Sequence, residues 1–361
     1  VLVAAARRAG RAREGCSAGV ASAAAVGGSR GASTATAAEA LAWLAVASAA
    51  RQQAVHDLFA APFQAATGIR VLVQTRPQGM AALTTGLTGK NPAWDLVEVN
   101  GLDLAAGCKS DLFAKLDPAA IGGAAHYQPA ALSPCGIGAT WQATVLAWDK
   151  DKYPAKPDWP AFWDIARAPG KRGLRHGVRG NLEIALMADG VAPAAVYKVL
   201  ATTDGIDRAF RRLDQLRPYL VWWKTGVDAA RLLTSGAVLM TSAPSEAIVA
   251  ADHDAHRNLA FRWDGNIHQL QSWAVARAGP NRAAALQFLY FIGTPAIEAR
   301  MAERFGIGGL ARGANAGLAA AQAALSSTLS ANLAKGLAFD DGFWAARLVK
   351  LRQRFDAWAA H

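Results

Sequence analysis

The chain has 361 residues, 52% of them apolar and 18% charged, which is too long for one ordinary core and too apolar for a disordered chain. No stretch approaches the length of uninterrupted large apolar residues that a membrane-spanning helix needs. The net charge of +11 is partly carried by Arg7, Arg8, Arg11, Arg13 and Arg30, and later basic residues are interspersed with acids instead of forming a stripe with aromatics, so nucleic acid is not an expected partner.

Residues 1–40 are rich in Ala, Ser and Arg and poor in acids, which reads as a targeting or low-complexity leader. Beyond it, AWLAVAS is short enough for a buried strand, and RQQAVHDLFAAPFQAATG has helical apolar spacing until Gly68 stops it. IRVLVQ follows as a second strand, so a right-handed parallel crossover and an α/β body are expected. GMAALTTGLTGKNPAW predicts a helix ending near Gly89, and WDLVEVN a third strand that empties into a loop, GLDLAAG. Because ligands of open α/β sheets sit beyond the carboxyl ends of strands, Ser48 to Arg51 and Asn100 to Leu102 are candidates for contact.

GIGATWQATVLAWDK predicts a strand that crosses into a second body. In the next segment Trp159, Phe162 and Trp163 give a short helix one aromatic face, Pro169 and Gly170 end it, and GKRGLRHGVRG suits a strand followed by a turn whose backbone can approach a ligand. Asn181 is the expected N-cap of the helix after this turn, and Glu183 complements its dipole. LVWWKTG should be a strand delivering Trp223, Lys224 and Thr225 to a cleft, and one of Trp222 and Trp223 must point into the core because neighbours on a strand face opposite ways. AVLMTSA is a further strand, QLQSWAVARAG the return crossover, and DDGFWAARLVKLRQRFDAW a closing amphipathic helix.

Catalytic motifs are missing: GxSxG, HExxH, GxxxxGK[ST] and a strand-borne GxGxxG do not occur, so the chain is expected to be no enzyme and to need no cofactor. His253 and His256 in DHDAHR have spacing that can bind a divalent ion, but an exposed polar turn explains them better, and no metal site is expected. Cys16, Cys108 and Cys135 lack paired CxxC spacing.

W-x-x-F-W-D, P-G-K-R-G-L and L-E-x-A-L-x-A-D-G-V, which lie in that order between Trp159 and Val191, resemble the second lobe of periplasmic solute-binding proteins of the spermidine/putrescine transporter type. PFQAATGIRV, WDLVEVNGLDLAAGCKSDLFAKLD and WQATVLAWDKDKYP resemble the same family upstream, as do LDQLRPYLVWWKTGVDAARLLTSGAVLM and SWAVARAGPNRAAALQFLYFIGTP downstream. The resemblance implies a type II periplasmic-binding-protein fold, α/β and two-lobed, each lobe a mixed, mostly parallel sheet flanked by helices, with a hinge of two crossovers near Leu146 to Lys150 and Leu270 to Ala274. Lobe 1 would be residues 41–147 with 274–310, and lobe 2 residues 148–273 with 311–361. A monomer in the periplasm would then hand a small solute to the membrane permease of an ABC importer, the other reading being a diverged solute-binding scaffold that acts as a sensor or interaction protein without transport.

The ligand-binding candidates on this reading are Ser48, Asn100, Trp141, Arg179, Asn181, Glu183, Trp223, Lys224, Thr225, Ser242, Gln269 and Gln271. Polyamine binders of the family resemble one another in an aromatic after the first strand and acids near the return crossover, where this chain has Ser48 and Gln271. Lys224, Arg175 and Arg179 would repel a cation, so a neutral, zwitterionic or anionic solute is expected. Some members also resemble this chain in a cysteine pair, which makes a Cys108–Cys135 disulfide reasonable, two buried thiols being the other possibility.

Overall fold

The computed structural model describes residues 40–45, 49–75, 79–89, 92–255 and 257–360; the leader, with Cys16, and Ser48 and His256 lie outside these. Ten strands form one sheet: β1 (Ala40–Ala45), β2 (Arg70–Thr75), β3 (Leu96–Asn100), β4 (Leu132–Ser133), β5 (Gly136–Asp149), β6 (Arg172–Arg175), β7 (Leu220–Trp223), β8 (Met240–Pro244), β9 (Leu259–Val275) and β10 (Leu337–Ala338). Their main order is β2-β1-β3-β9-β5-β8-β6-β7. The outer trios β2-β1-β3 and β8-β6-β7 are parallel. Between them run β5 and β9, antiparallel to each other and long enough to serve both trios. The architecture is therefore the expected two-lobed α/β fold, joined through these two strands.

The β5–β9 ladder is interrupted between Thr144↔Ile267 and Leu146↔Arg262, where β9 carries extra residues. Gly265 makes this possible with a φ of +74°, and its carbonyl accepts the Trp159 indole N–H at 2.8 Å. The kink thereby docks the 159–163 helix, whose Trp159, Phe162 and Trp163 are all buried as their spacing requires.

Two large cores flank the crossing strands. In the first, Phe63 meets Phe288 edge-on at 5.1 Å among Val55, Phe59, Ile137 and Trp273, and Leu310, Ala311 and Ala314 join it. The second gathers Trp159, Phe162, Leu182, Leu186 and Leu213 around the helix Asp341–Ala359, which buries Phe343, Trp344, Leu351 and Phe355. Asp340 starts that helix by accepting the Phe343 N–H at 2.7 Å.

Three local expectations change. GLDLAAG, read as a loop, opens the helix Gly101–Lys109, because Asn100 accepts the Asp103 N–H at 2.9 Å and so starts a helix directly at the strand end. The N-cap of the helix Asn181–Ala188 is Gly180, not Asn181, since Gly180 takes the positive φ that the turn demands. VYKVLATTDGIDRAFRRLDQLRPYL, whose apolar spacing reads as one amphipathic helix, forms two, Val196–Leu200 and Thr203–Leu216, split where Thr202 caps the Gly205 N–H. Among the described residues no helix is long and apolar enough to cross a membrane.

Candidate functional site

A cleft of about 600 Å³, counted to its open mouth, lies where the carboxyl ends of β6, β7 and β8 meet the crossing strands. Gln142 and Thr144 of β5 and Ile267 and Gln269 of β9 form one side, Arg175, Arg179, Gly180, Asn181 and Ile184 another, and Trp223, Ser242 and Phe339 complete it.

The turn between β6 and its helix carries the charge. Asn181 is fully buried and donates to the carbonyls of Arg175 and Gly177 at 2.7 Å each, so its amide shapes the turn and cannot also orient a ligand through those hydrogens. Arg175 and Arg179 are thereby placed on the cleft wall. No carboxylate hydrogen-bonds to either among the described residues. Burial, and then the neighbouring charges of Arg179 and Arg352, pull the Arg175 guanidinium down to about 10, and burial likewise lowers Arg179, which Asp103, Glu183 and Asp341 offset through space. Two guanidiniums thus stand on the cleft wall, with the charge of Arg352 nearby but outside the lining, and no carboxylate lines the cleft beside them among the described residues.

Two further donors lack partners. The Trp223 indole N–H and the Ser242 hydroxyl are both buried, both belong to cleft-lining residues, and neither has a hydrogen-bond partner among the described residues. Trp222, its half-buried neighbour, packs edge-on against Phe355 at 5.7 Å on the other face, while Trp223 both lines the cleft and is buried in a smaller core with Ala229, Leu233 and Ile248.

The crossing strands supply amides. Gln142 and Gln269 are register partners. Gln142 donates to Glu246 at 2.9 Å and Gln269 to Asp341 at 2.7 Å. Gln271 is buried one turn of the ladder away, its amide 3.5 Å from the Gln142 oxygen, and it does not line the cleft. Trp141 packs on the first core and meets His268 edge-on at 5.4 Å.

Of the sequence candidates, Arg179, Asn181, Trp223, Ser242 and Gln269 come together at the cleft. Glu183 does not: it is fully buried, accepting the Trp344 N–H at 2.8 Å, the Tyr197 hydroxyl at 2.9 Å and the Gly180 N–H at 2.9 Å, and burial raises its carboxyl above the ordinary range. It is the internal clamp between the 181–188 helix and the last helix. Thr225 caps the helix Gly226–Thr234, exchanging hydrogen bonds with Asp228, and exposed Lys224 precedes it, so neither lines the cleft. Asn100 spends its side chain on Asp103. Ser48 lies outside the described residues. Sequence reasoning left Gln142, Thr144 and Phe339 out of the candidate set and treated Arg175 only as a charge; for Gln142 the alternation of β5 was the available signal.

The one cysteine pair within the described residues, Cys108 and Cys135, is disulfide-bonded, with Cα atoms 5.8 Å apart. His253 is exposed beside Asp254 and Arg304, and among the described residues no cluster of three or more His, Cys, Asp or Glu side chains could hold a metal.

Comparison with known proteins identifies the family and the fold. Residues 59–328 match the family model for bacterial extracellular solute-binding proteins. A gamma-aminobutyric acid-binding protein of Pseudomonas aeruginosa is 36% identical over 312 residues, covering 86% of this chain and 88% of that protein. An ABC transporter substrate-binding protein from Bradyrhizobium japonicum USDA 110 has a structure similar at a TM-score of 0.79 and 27% identity, covering 89% of this chain and 99% of the other. The fold is also shared with the binding protein AgtB of A. tumefaciens R10, in complex with agropinic acid, at a TM-score of 0.78 and 23% identity over 90% of this chain and all of the other. With three quarters of its length matched to the family and its cleft at the strand ends, the chain belongs to the bacterial extracellular solute-binding proteins.

Proposed function

We propose that this protein is the periplasmic substrate-binding component of an ABC importer and that its ligand is a small zwitterionic amino acid of the 4-aminobutyrate kind. The observation that carries the reading is the pairing of Arg175 and Arg179 on one cleft wall without a carboxylate partner, beside the unpartnered Trp223 N–H and Ser242 hydroxyl. Together they offer charged and neutral donors to a carboxylate, which can take them bidentately. A polyamine would bring only positive charge to this wall. The family match is to the broad solute-binding class and does not single out spermidine or putrescine. The P. aeruginosa relative, named for gamma-aminobutyric acid, makes an ω-amino acid the first ligand to test.

In this reading the protein acts as a monomer. Residues 41–147 with 274–310 form one lobe and 148–273 with 311–361 the other, and they close over the solute as β5 and β9 bend. The closed form is what the permease reads. Native mass spectrometry of protein equilibrated with an equimolar mixture of 4-aminobutyrate, butyrate, glutamate, putrescine and spermidine tests the ligand class. Retention of 4-aminobutyrate is expected. Retention of a polyamine in its place would reject the reading.

A further inference from the structure

The cleft arginines account for a carboxylate, but nothing so far receives the positive end of a zwitterion. Among the described residues no carboxylate lines the cleft. What lines it instead is the glutamine pair of the crossing strands, and the hydrogen bonds of that pair have a direction. A carboxylate only accepts, so the contacts of Gln142 with Glu246 at 2.9 Å and of Gln269 with Asp341 at 2.7 Å commit the amide N–H groups to the acids. Asp341 is itself held in place, because its carboxylate packs against the backbone of Gly101, where a Cβ would collide with it. Each amide is therefore locked against a flip, and its carbonyl oxygen is turned away from the acid. Gln142 spends one lone pair on a long 3.5 Å contact from Gln271, and each carbonyl oxygen has two.

We propose that Gln142 and Gln269 form the ammonium receptor of the cleft, a pair of oriented amide carbonyls with the negative charges of Glu246 and Asp341 one hydrogen bond behind them. This inference rests on the zwitterion reading and adds a chemical specificity to it. A direct carboxylate would attract any cation, including one without N–H groups. Carbonyl acceptors favour a cation that donates hydrogen bonds, so a primary ammonium is preferred over a quaternary one. The receptor also explains how the chain accepts a positive group without the acid near the return crossover: charge is supplied at second hand and desolvation is met by neutral oxygens. Because Gln142 and Gln269 belong to the two strands that cross between the lobes, the ammonium is read at the hinge itself.

Calorimetry with 4-aminobutyrate, its N-trimethyl derivative and butyrate tests this on the wild-type protein and on Gln142→Met, Gln269→Met and Glu246→Gln. The wild type is expected to bind 4-aminobutyrate at least tenfold more tightly than the other two. Each Gln→Met variant should lose tenfold or more for 4-aminobutyrate and stay within about twofold for butyrate, which would show that the site still forms. Glu246→Gln, which keeps the side-chain shape but removes the charge and allows the Gln142 amide to flip, should lose a smaller part of the same preference. Equal weakening for 4-aminobutyrate and butyrate, or a wild-type preference for the N-trimethyl derivative, overturns the receptor while leaving the arginine wall standing. If the wild type binds neither acid, the zwitterion reading and the receptor fail together.

Discussion

Asp341, in the first turn of the last helix, brings its carboxylate up against the backbone of Gly101, in the first turn of the helix that follows β3. The anion thus sits on the positive end of a helix belonging to the first lobe's packing while its own helix is buried in the second core. Gly101 permits the approach, because a Cβ there would collide with the Asp341 carboxylate. Outside the crossing strands, this contact is a direct polar link between the two halves.

Asp341→Ala should therefore loosen closure. A larger radius of gyration by small-angle scattering and roughly tenfold weaker ligand binding are expected, since the variant also removes the acceptor of the Gln269 N–H, and a hydrogen bond to a charged group is worth about 1.5–3 kcal/mol. A variant with unchanged radius and affinity would show that the link carries no closure energy.

The Cys108–Cys135 bond closes a loop of 27 residues between the helix after β3 and the start of β5. Chain entropy assigns such a loop about 3.5 kcal/mol of stabilisation. The double variant Cys108→Ser/Cys135→Ser should melt several degrees below the wild type under oxidising conditions, and match it when the wild type is reduced. Identical melting of oxidised wild type and variant would contradict a stabilising bond.

Glu298 lines a pocket at the first core with Tyr127, Thr140 and Glu98, and its carboxylate accepts the Ala311 N–H at 2.8 Å. Burial pushes it up to about 8, against 4.5 for an unperturbed glutamate. The folded state therefore holds a proton between those values that the unfolded state has released. The stability this group contributes is complete below 4.5 and is lost as pH rises through about 8. Thermal melts of wild type and Glu298→Gln across this range should show the variant gaining relative stability as pH increases. Parallel curves would mean that Glu298 is ionised in the folded protein already at low pH.

The parts of the fold that local chemistry encodes could be read in advance. Gly68 ends its helix in the left-handed conformation, Trp159, Phe162 and Trp163 bury one face, and the last helix packs Phe343, Trp344, Leu351 and Phe355, all as their spacing requires. The misses occur where a tertiary contact decides the role. Glu183 in the first turn of a helix looks the same in sequence whether it faces a ligand or, as here, Trp344 from 161 positions away. Thr225 at a strand end is equally a ligand candidate and a helix cap until Asp228 claims it. The alternation of β5 marked Gln142, but its pairing with Gln269 depends on irregularities of the β5–β9 ladder that no local pattern announces.

The central claim is that the arginine wall selects a carboxylate and excludes a polyamine. Its most direct test is isothermal calorimetry of 4-aminobutyrate and of putrescine against the wild type and Arg179→Met, run side by side. The account predicts 4-aminobutyrate binding by the wild type, a loss of tenfold or more in the variant from removal of one charged hydrogen-bonding partner, and no putrescine binding by the wild type. Tight putrescine binding by the wild type, or 4-aminobutyrate affinity untouched by Arg179→Met, would contradict it.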